Sequence, residues 1–177
     1  MSRALIATAV VAGLGLSACT PTLGPAPPHG FPPSAGASAF RADDFAWSAE
    51  AGHAGIAGRL AYHAGRTHYT CARTTVILTP ETPWTRRRME ALYLSAESAA
   101  LPADEVRART PSAPSGDYSA FIRKATCDAA SRFSFAGLPD GAWYVIAAAK
   151  PVDGSGPTMA VMRRVTTHGG HVTPLAL

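Results

Sequence analysis

The sequence predicts an all-β sandwich of about seven short strands with one helical insertion, carried behind a leader and a proline-rich tether. Three observations predict it. Short runs rich in Val, Ile, Thr, Tyr and Phe recur from residue 45 to 177, each ended by Gly, Pro or Asp. One stretch, 83–97, has helical rather than alternating spacing. The first 44 residues have neither pattern.

The chain has 177 residues and is 47% hydrophobic, enough for one packed domain with appendages. Charged residues make up 16% and the net charge is +4. The arginines are scattered, and only Arg86, Arg87 and Arg88 form a run, so the charge does not describe a nucleic-acid surface.

Residues 1–18 read as a secretory leader: Arg3, an apolar run from Ala4 to Leu16, then small residues. The apolar run is short for a membrane span. Leu16, Ser17, Ala18 and Cys19 resemble the bacterial lipobox. The resemblance implies cleavage before Cys19 and acylation of its sulfur and new amino group; several acyl chains anchor stably. Thr20 follows the cysteine, which in enterobacterial-type sorting implies the periplasmic face of the outer membrane. Residues 19–44 then form the lipidated end and tether. Six prolines and three glycines in 20–40 leave no apolar face to bury. In polyproline geometry this segment reaches roughly 60 Å. With Cys19 lipidated, Cys71 and Cys127 remain, and an oxidising compartment makes them the expected disulfide pair.

The domain is assigned to 45–177. Residues 41–51 read as a short lead-in helix or an irregular cap, with Phe45 and Trp47 over a core edge. In 52–65, Ile56 and Leu60 suit a helix, but Gly52, Gly55 and Gly58 oppose it and a strand ending at a Gly65-Arg66 turn also fits. Residues 67–80 read as a strand stopped by Pro80. Thr82 caps a helix over 83–97, with Pro83 at its first position and Thr85, Met89, Leu92 and Ala96 on one face. Arg86 and Glu90 are an i,i+4 pair. Three arginines near the helix start oppose its dipole, so the helix begins later or the arginines serve a contact. Residues 101–118 read as a surface loop. Strands follow at 121–125, 133–135, 143–149, 159–165 and 171–177, with a turn at His168-Gly169-Gly170.

Residues 131–151, SRFSFAGLPDGAWYVIAAAKP, are the most patterned segment. Phe133, Phe135, Gly137, Leu138, Pro139, Gly141, Tyr144 and Val145 resemble the hairpin of carboxypeptidase-regulatory-like, transthyretin-like β-sandwich domains, an Ig-like architecture. GIAGRLAYHAG upstream is similar to the first strand of such modules, and Val76, Leu78, Pro80 and Thr82 to the second. The sequence departs from the pattern at Asp128 to Ser131, where Asp-Gly is usual, and at the extra Trp143. The resemblance implies an accessory module that binds, braces or spaces other parts. Some of its members have a carbohydrate-binding-like fold, and they carry no catalytic constellation. Asp140 is then a turn residue that bonds locally, with Gly141 taking a positive φ.

No zincin helix, nucleophile elbow or phosphate-binding loop occurs in the sequence. His63 with His68, and His168 with His171, sit beside turn glycines and read as solvated. The expectation is a non-catalytic, lipid-anchored envelope protein without cofactor or metal, whose sandwich binds or braces another envelope protein. The alternative is a glycan or peptidoglycan binder using Trp84 and Tyr93 as exposed stacking platforms; an envelope enzyme ranks third. Trp84, Arg86, Arg87, Arg88 and Tyr93 are the candidate contacts for a ligand or partner.

Overall fold

A computed structural model describes residues 39–177; Cys19 and most of the tether lie outside the described residues. Ten strands form two sheets: β1 Ala54–Arg59, β2 His63–Ala64, β3 Thr67–Thr70, β4 Thr75–Pro80, β5 Ser98–Pro102, β6 Arg123–Thr126, β7 Arg132–Leu138, β8 Gly141–Pro151, β9 Met159–Thr167 and β10 Val172–Ala176. The small sheet has the order β10-β1-β7, with β10 parallel and β7 antiparallel to β1. In the large sheet β8 is central. It pairs with β9 along one edge and with β4 and β3 along the other; β6 flanks β4, β2 flanks β3, and β5 flanks β9.

The two sheets face each other across a core of Ile56, Val76, Leu78, Phe133, Phe135, Leu138, Trp143, Val145, Ala147 and Val161. The insertion between β4 and β6 carries α1 Pro83–Tyr93, the edge strand β5, and α2 Ala103–Arg109. It covers the other face of the large sheet, where Met89, Leu92 and Tyr93 pack on Tyr144 and Met162. That second layer explains β8. A strand buried on both faces reads as a continuous apolar run, and Trp143 to Ala149 is one.

The expected sandwich is present, with differences in its elements. The 67–80 strand is two strands, because the chain turns a corner at Cys71 to Thr74: the Thr74 amide and hydroxyl both donate to the Cys71 carbonyl, at 2.8 and 2.7 Å. The 101–118 surface loop contains α2, and β5 precedes it. Ser-Ala-Ala-Leu-Pro has poor strand propensity, so only pairing with β9 makes it a strand. The ambiguous 52–65 segment holds two strands, β1 and β2, rather than a helix, and 42–49 is a 3-10 helix that buries Phe45.

The predicted hairpin at 131–151 is corrected. β7 and β8 do not pair: β7 lies in the small sheet and β8 in the large one. Phe133 and Phe135 face Trp143 and Val145 across the core, so Pro139-Asp140 carries the chain from one sheet to the other. Asp140 bonds not locally but across to the Gly169 amide, at 2.9 Å, in the β9–β10 connection. That connection also changes sheets, so this bond ties two corners of the sandwich together. Gly141 is required by a close approach: a Cβ there would lie 2.2 Å from the Trp47 ring.

The departure at Asp128 to Ser131 has a local explanation. Asp128 Oδ1 accepts from the amides of Ala130 and Arg132, both at 2.8 Å, closing the turn. Ser131 takes the left-handed conformation usual for glycine, with φ 58°. Its buried Oγ lies 2.8 Å from Thr70 Oγ1 and accepts from the Cys71 amide, contacts a glycine could not make.

Leu94 ends α1 in the left-handed region at φ 59°, with 69% of its surface exposed. Its side chain buries little and its backbone is strained. Leu94→Gly is therefore expected to stabilise the domain by about 0.5–1 kcal/mol, read as a higher denaturation midpoint.

Candidate functional site

The residues the sequence nominates lie on or beside α1. The helix begins where predicted: the Thr85 amide donates to Thr82 Oγ1 at 3.1 Å and the Thr82 amide to Thr85 Oγ1 at 2.6 Å. It ends at Tyr93 rather than 97.

Trp84 and Tyr93 are not stacking platforms. They are 1% and 5% exposed. Trp84 packs among Phe40, Phe45 and Tyr118, and its indole N–H donates to the Ser115 carbonyl at 3.2 Å. Burial pushes the Tyr93 phenol up to about 12, with Tyr118 adding and Arg88 opposing, so it stays neutral at physiological pH. Tyr93 lies on the helix face packed on the large sheet, whereas Trp84, on the opposite side of the helix, is buried by Phe40, Phe45 and Tyr118.

The three arginines separate. Arg86 pairs with Glu81 at 2.9 Å, Glu97 at 3.5 Å and, as the spacing predicts, Glu90 at 3.6 Å. These carboxylates offset its unfavourable place near the helix start. Arg88 lies against the rings of Trp84 and Tyr118, 5.6 and 5.5 Å from their centroids, and donates to the Pro114 carbonyl at 2.6 Å. Arg87 is exposed. Arg86 and Arg88 are therefore structural, and Arg87 is the one of the three that, among the described residues, meets neither a carboxylate nor an aromatic ring.

Glu81 is the centre of the densest polar network. Oε1 accepts from Arg86 at 2.9 Å and from the Tyr144 hydroxyl at 3.2 Å, and Oε2 from Arg164 Nε at 2.7 Å. Burial would raise its pKa, but hydrogen bonds from Arg164, Arg86 and Tyr144 outweigh it and hold the carboxyl below 4.5. A group depressed in this way stabilises the fold above its unfolded pKa, and that contribution is lost as pH falls through the lower folded value. Glu81→Gln should destabilise the domain at pH 7 by about 1–3 kcal/mol, since Arg164 loses its partner. The gap between variant and parent should close below pH 4.5, which melts across a pH series will show.

Cys71 and Cys127 form the expected disulfide, with Cα atoms 5.7 Å apart. Both are buried, at the β3–β4 corner and beside the end of β6.

A wide, open groove of about 1000 Å³ crosses the outer face of the small sheet and reaches the β6–β7 connection. Its floor is made of small residues, Ala57, Ser134 and Pro174, which the pairing register sets in one row across β1, β7 and β10. The next row outward is Ala176, Arg59 and Arg132. Thr126 and Asp128 close the end. On the inner face Phe133 fills the space over Gly58, where a Cβ would lie 2.1 Å from its ring. The groove offers guanidinium donors, hydroxyls and one carboxylate around a low floor, a surface suited to holding a polar ligand from one side.

Sequence reasoning missed the groove. Its residues alternate with core residues on β1 and β7, so the signal was present in the alternation. Which rows lie together depends on register, which a single strand does not show.

Fold and groove together define a two-sheet β-sandwich with an open groove on one face, a floor of small residues edged by polar side chains. Among solved structures, the chain is similar to a protein of Pseudomonas aeruginosa described as a "putative carbohydrate binding protein". The two share 23% identity at a TM-score of 0.57, over 78% of this chain and 96% of that one. The likeness establishes the fold. No protein-family model matches the chain, and no curated protein matches it.

Proposed function

We propose that this protein is a lipid-anchored, non-catalytic binding module of the bacterial envelope, and that its ligand is a glycan held in the small-sheet groove. The observation that carries the reading is the groove itself, a row of small residues flanked by donors and acceptors spaced along strand edges. The description of the Pseudomonas aeruginosa protein supports a glycan over a protein partner. The hairpin-like pattern at 131–151 supports an accessory module of the carboxypeptidase-regulatory-like kind.

The non-catalytic reading follows the resemblance at 131–151, which implies no catalytic constellation, and Glu81 offers no general acid. A general acid needs a raised pKa and a free face, whereas Glu81 is pushed down and bonded on both oxygens. The anchoring reading rests on Cys19 and its preceding Leu-Ser-Ala. With Thr20 after the cysteine, the same reading puts the anchor in the outer membrane, facing the periplasm. Growth with labelled palmitate should mark the chain and leave Cys19→Ala unmarked.

A glycan panel that includes peptidoglycan fragments, probed with the full chain in detergent, tests the function. Binding should disappear in Ala57→Trp and Ser134→Trp, which fill the groove from exposed positions and leave the core intact. Binding that survives both changes, or no binding across the panel, would overturn the reading.

A further inference from the structure

We propose that the groove selects acidic glycans, with a sugar carboxylate seated between Arg59 and Arg132; this rests on the glycan reading above. The two arginines are directly opposite each other in the antiparallel β1–β7 register. Side chains so placed start about 5 Å apart and share one face. Like charges in that position repel and destabilise the pair unless something neutralises them. Among the described residues, no carboxylate lies within 4 Å of either guanidinium and neither side chain makes a hydrogen bond. Arg86, Arg107, Arg109 and Arg164, by contrast, all meet a carboxylate. Asp128, the acid nearest in sequence to Arg132, spends Oδ1 on the turn amides.

The pair therefore presents two planar forks on the wall of an open groove. A carboxylate is the planar anion that such forks bind through parallel N–H···O bonds. Asp128 at the groove end accepts from sugar hydroxyls, and Ser134 and Thr126 donate to or accept from them. The low floor of Ala57 and Pro174 leaves room for a sugar ring to approach the guanidinium row.

The test uses the full chain in detergent and a matched pair of probes: oligogalacturonic acid and its methyl ester, which keeps the sugar skeleton and removes the charge. Titration calorimetry at low salt should show the acid binding about tenfold more tightly than the ester. That preference should fall several-fold at 0.5 M salt, because the site is open. Arg59→Gln and Arg132→Gln should abolish the preference while leaving the melting temperature unchanged or raised. Arg132→Lys should recover only part of it, since an ammonium supplies charge without the fork. Equal affinity for acid and ester would overturn the proposal and leave the glycan reading standing. So would a preference that persists in both Gln variants. Oligoglutamate binding as tightly as oligogalacturonate would overturn the choice of a glycan carboxylate over a peptide one. Failure of both probes would overturn acidic selection, whereas the glycan reading itself fails only when the groove-filling variants keep, or the whole panel lacks, binding.

Discussion

Replacing both Cys71 and Cys127 by alanine is expected to cost about 4 kcal/mol of folding free energy. The bridge joins positions 56 apart in sequence, and closing a loop of that length in the unfolded chain accounts for the magnitude in the chain-entropy model. The native contacts argue for a similar loss. The bond pins β6 to the corner between β3 and β4, where the Cys127 amide donates to the Thr74 carbonyl and the Arg73 amide to the Cys127 carbonyl, both at 3.0 Å. Domains of this size have about 5–15 kcal/mol in total, so the double variant should lie near the edge of folding. Denaturant titration of oxidised parent and variant will measure it. A midpoint that barely moves would mean that backbone pairing alone holds the corner.

Gly141→Val is the second large effect. The side chain would intrude on the Trp47 ring, whose centroid lies 4.9 Å from that of the buried Trp143. Trp143 is fixed in turn by Thr167, which accepts its indole N–H at 3.0 Å, and Arg123 lies over its ring. With backbone on one side and a pinned indole on the other, Trp47 has to leave. A loss of about 3 kcal/mol or more follows, with a change in near-ultraviolet dichroism from the paired indoles. Asp140→Asn, one residue away, keeps an acceptor for the Gly169 amide and should cost under about 1 kcal/mol. Equal tolerance of the two changes would contradict the packing described for this corner.

These neighbours show what was legible in the sequence. Phe133, Phe135, Trp143 and Val145 announced two strands with inward faces, and both exist. Their pairing was not legible, because a tight Pro-Asp-Gly link serves a hairpin and a change of sheet equally well. The distinction is made by Trp47 and Gly169, which are remote in sequence. Likewise the helix start at Thr82-Pro83 was readable from local capping chemistry. The burial of Trp84 and Tyr93 was not: Tyr93 is covered because the helix forms a third layer on the large sheet, and Trp84 because Phe40, Phe45 and Tyr118, remote in sequence, close over it. Arg86 to Arg88 looked like one basic feature and became three: an ion-pair centre, an arginine held against aromatics, and an exposed side chain. The candidate site was least legible of all. Arg59, Asp128 and Arg132 come together through the β1–β7 register and the turn at 128–131, and each alone is an ordinary surface residue.

The central claim is that this sandwich holds its ligand on the outer face of the small sheet. Amide chemical-shift mapping of the isotope-labelled chain, titrated with the best-binding glycan of the panel, tests it most directly. The account predicts shifts concentrated at Ala57, Arg59, Thr126, Arg132, Ser134 and Ala176, with α1 unaffected. Shifts centred on α1 and Arg87, with the small sheet silent, would contradict it.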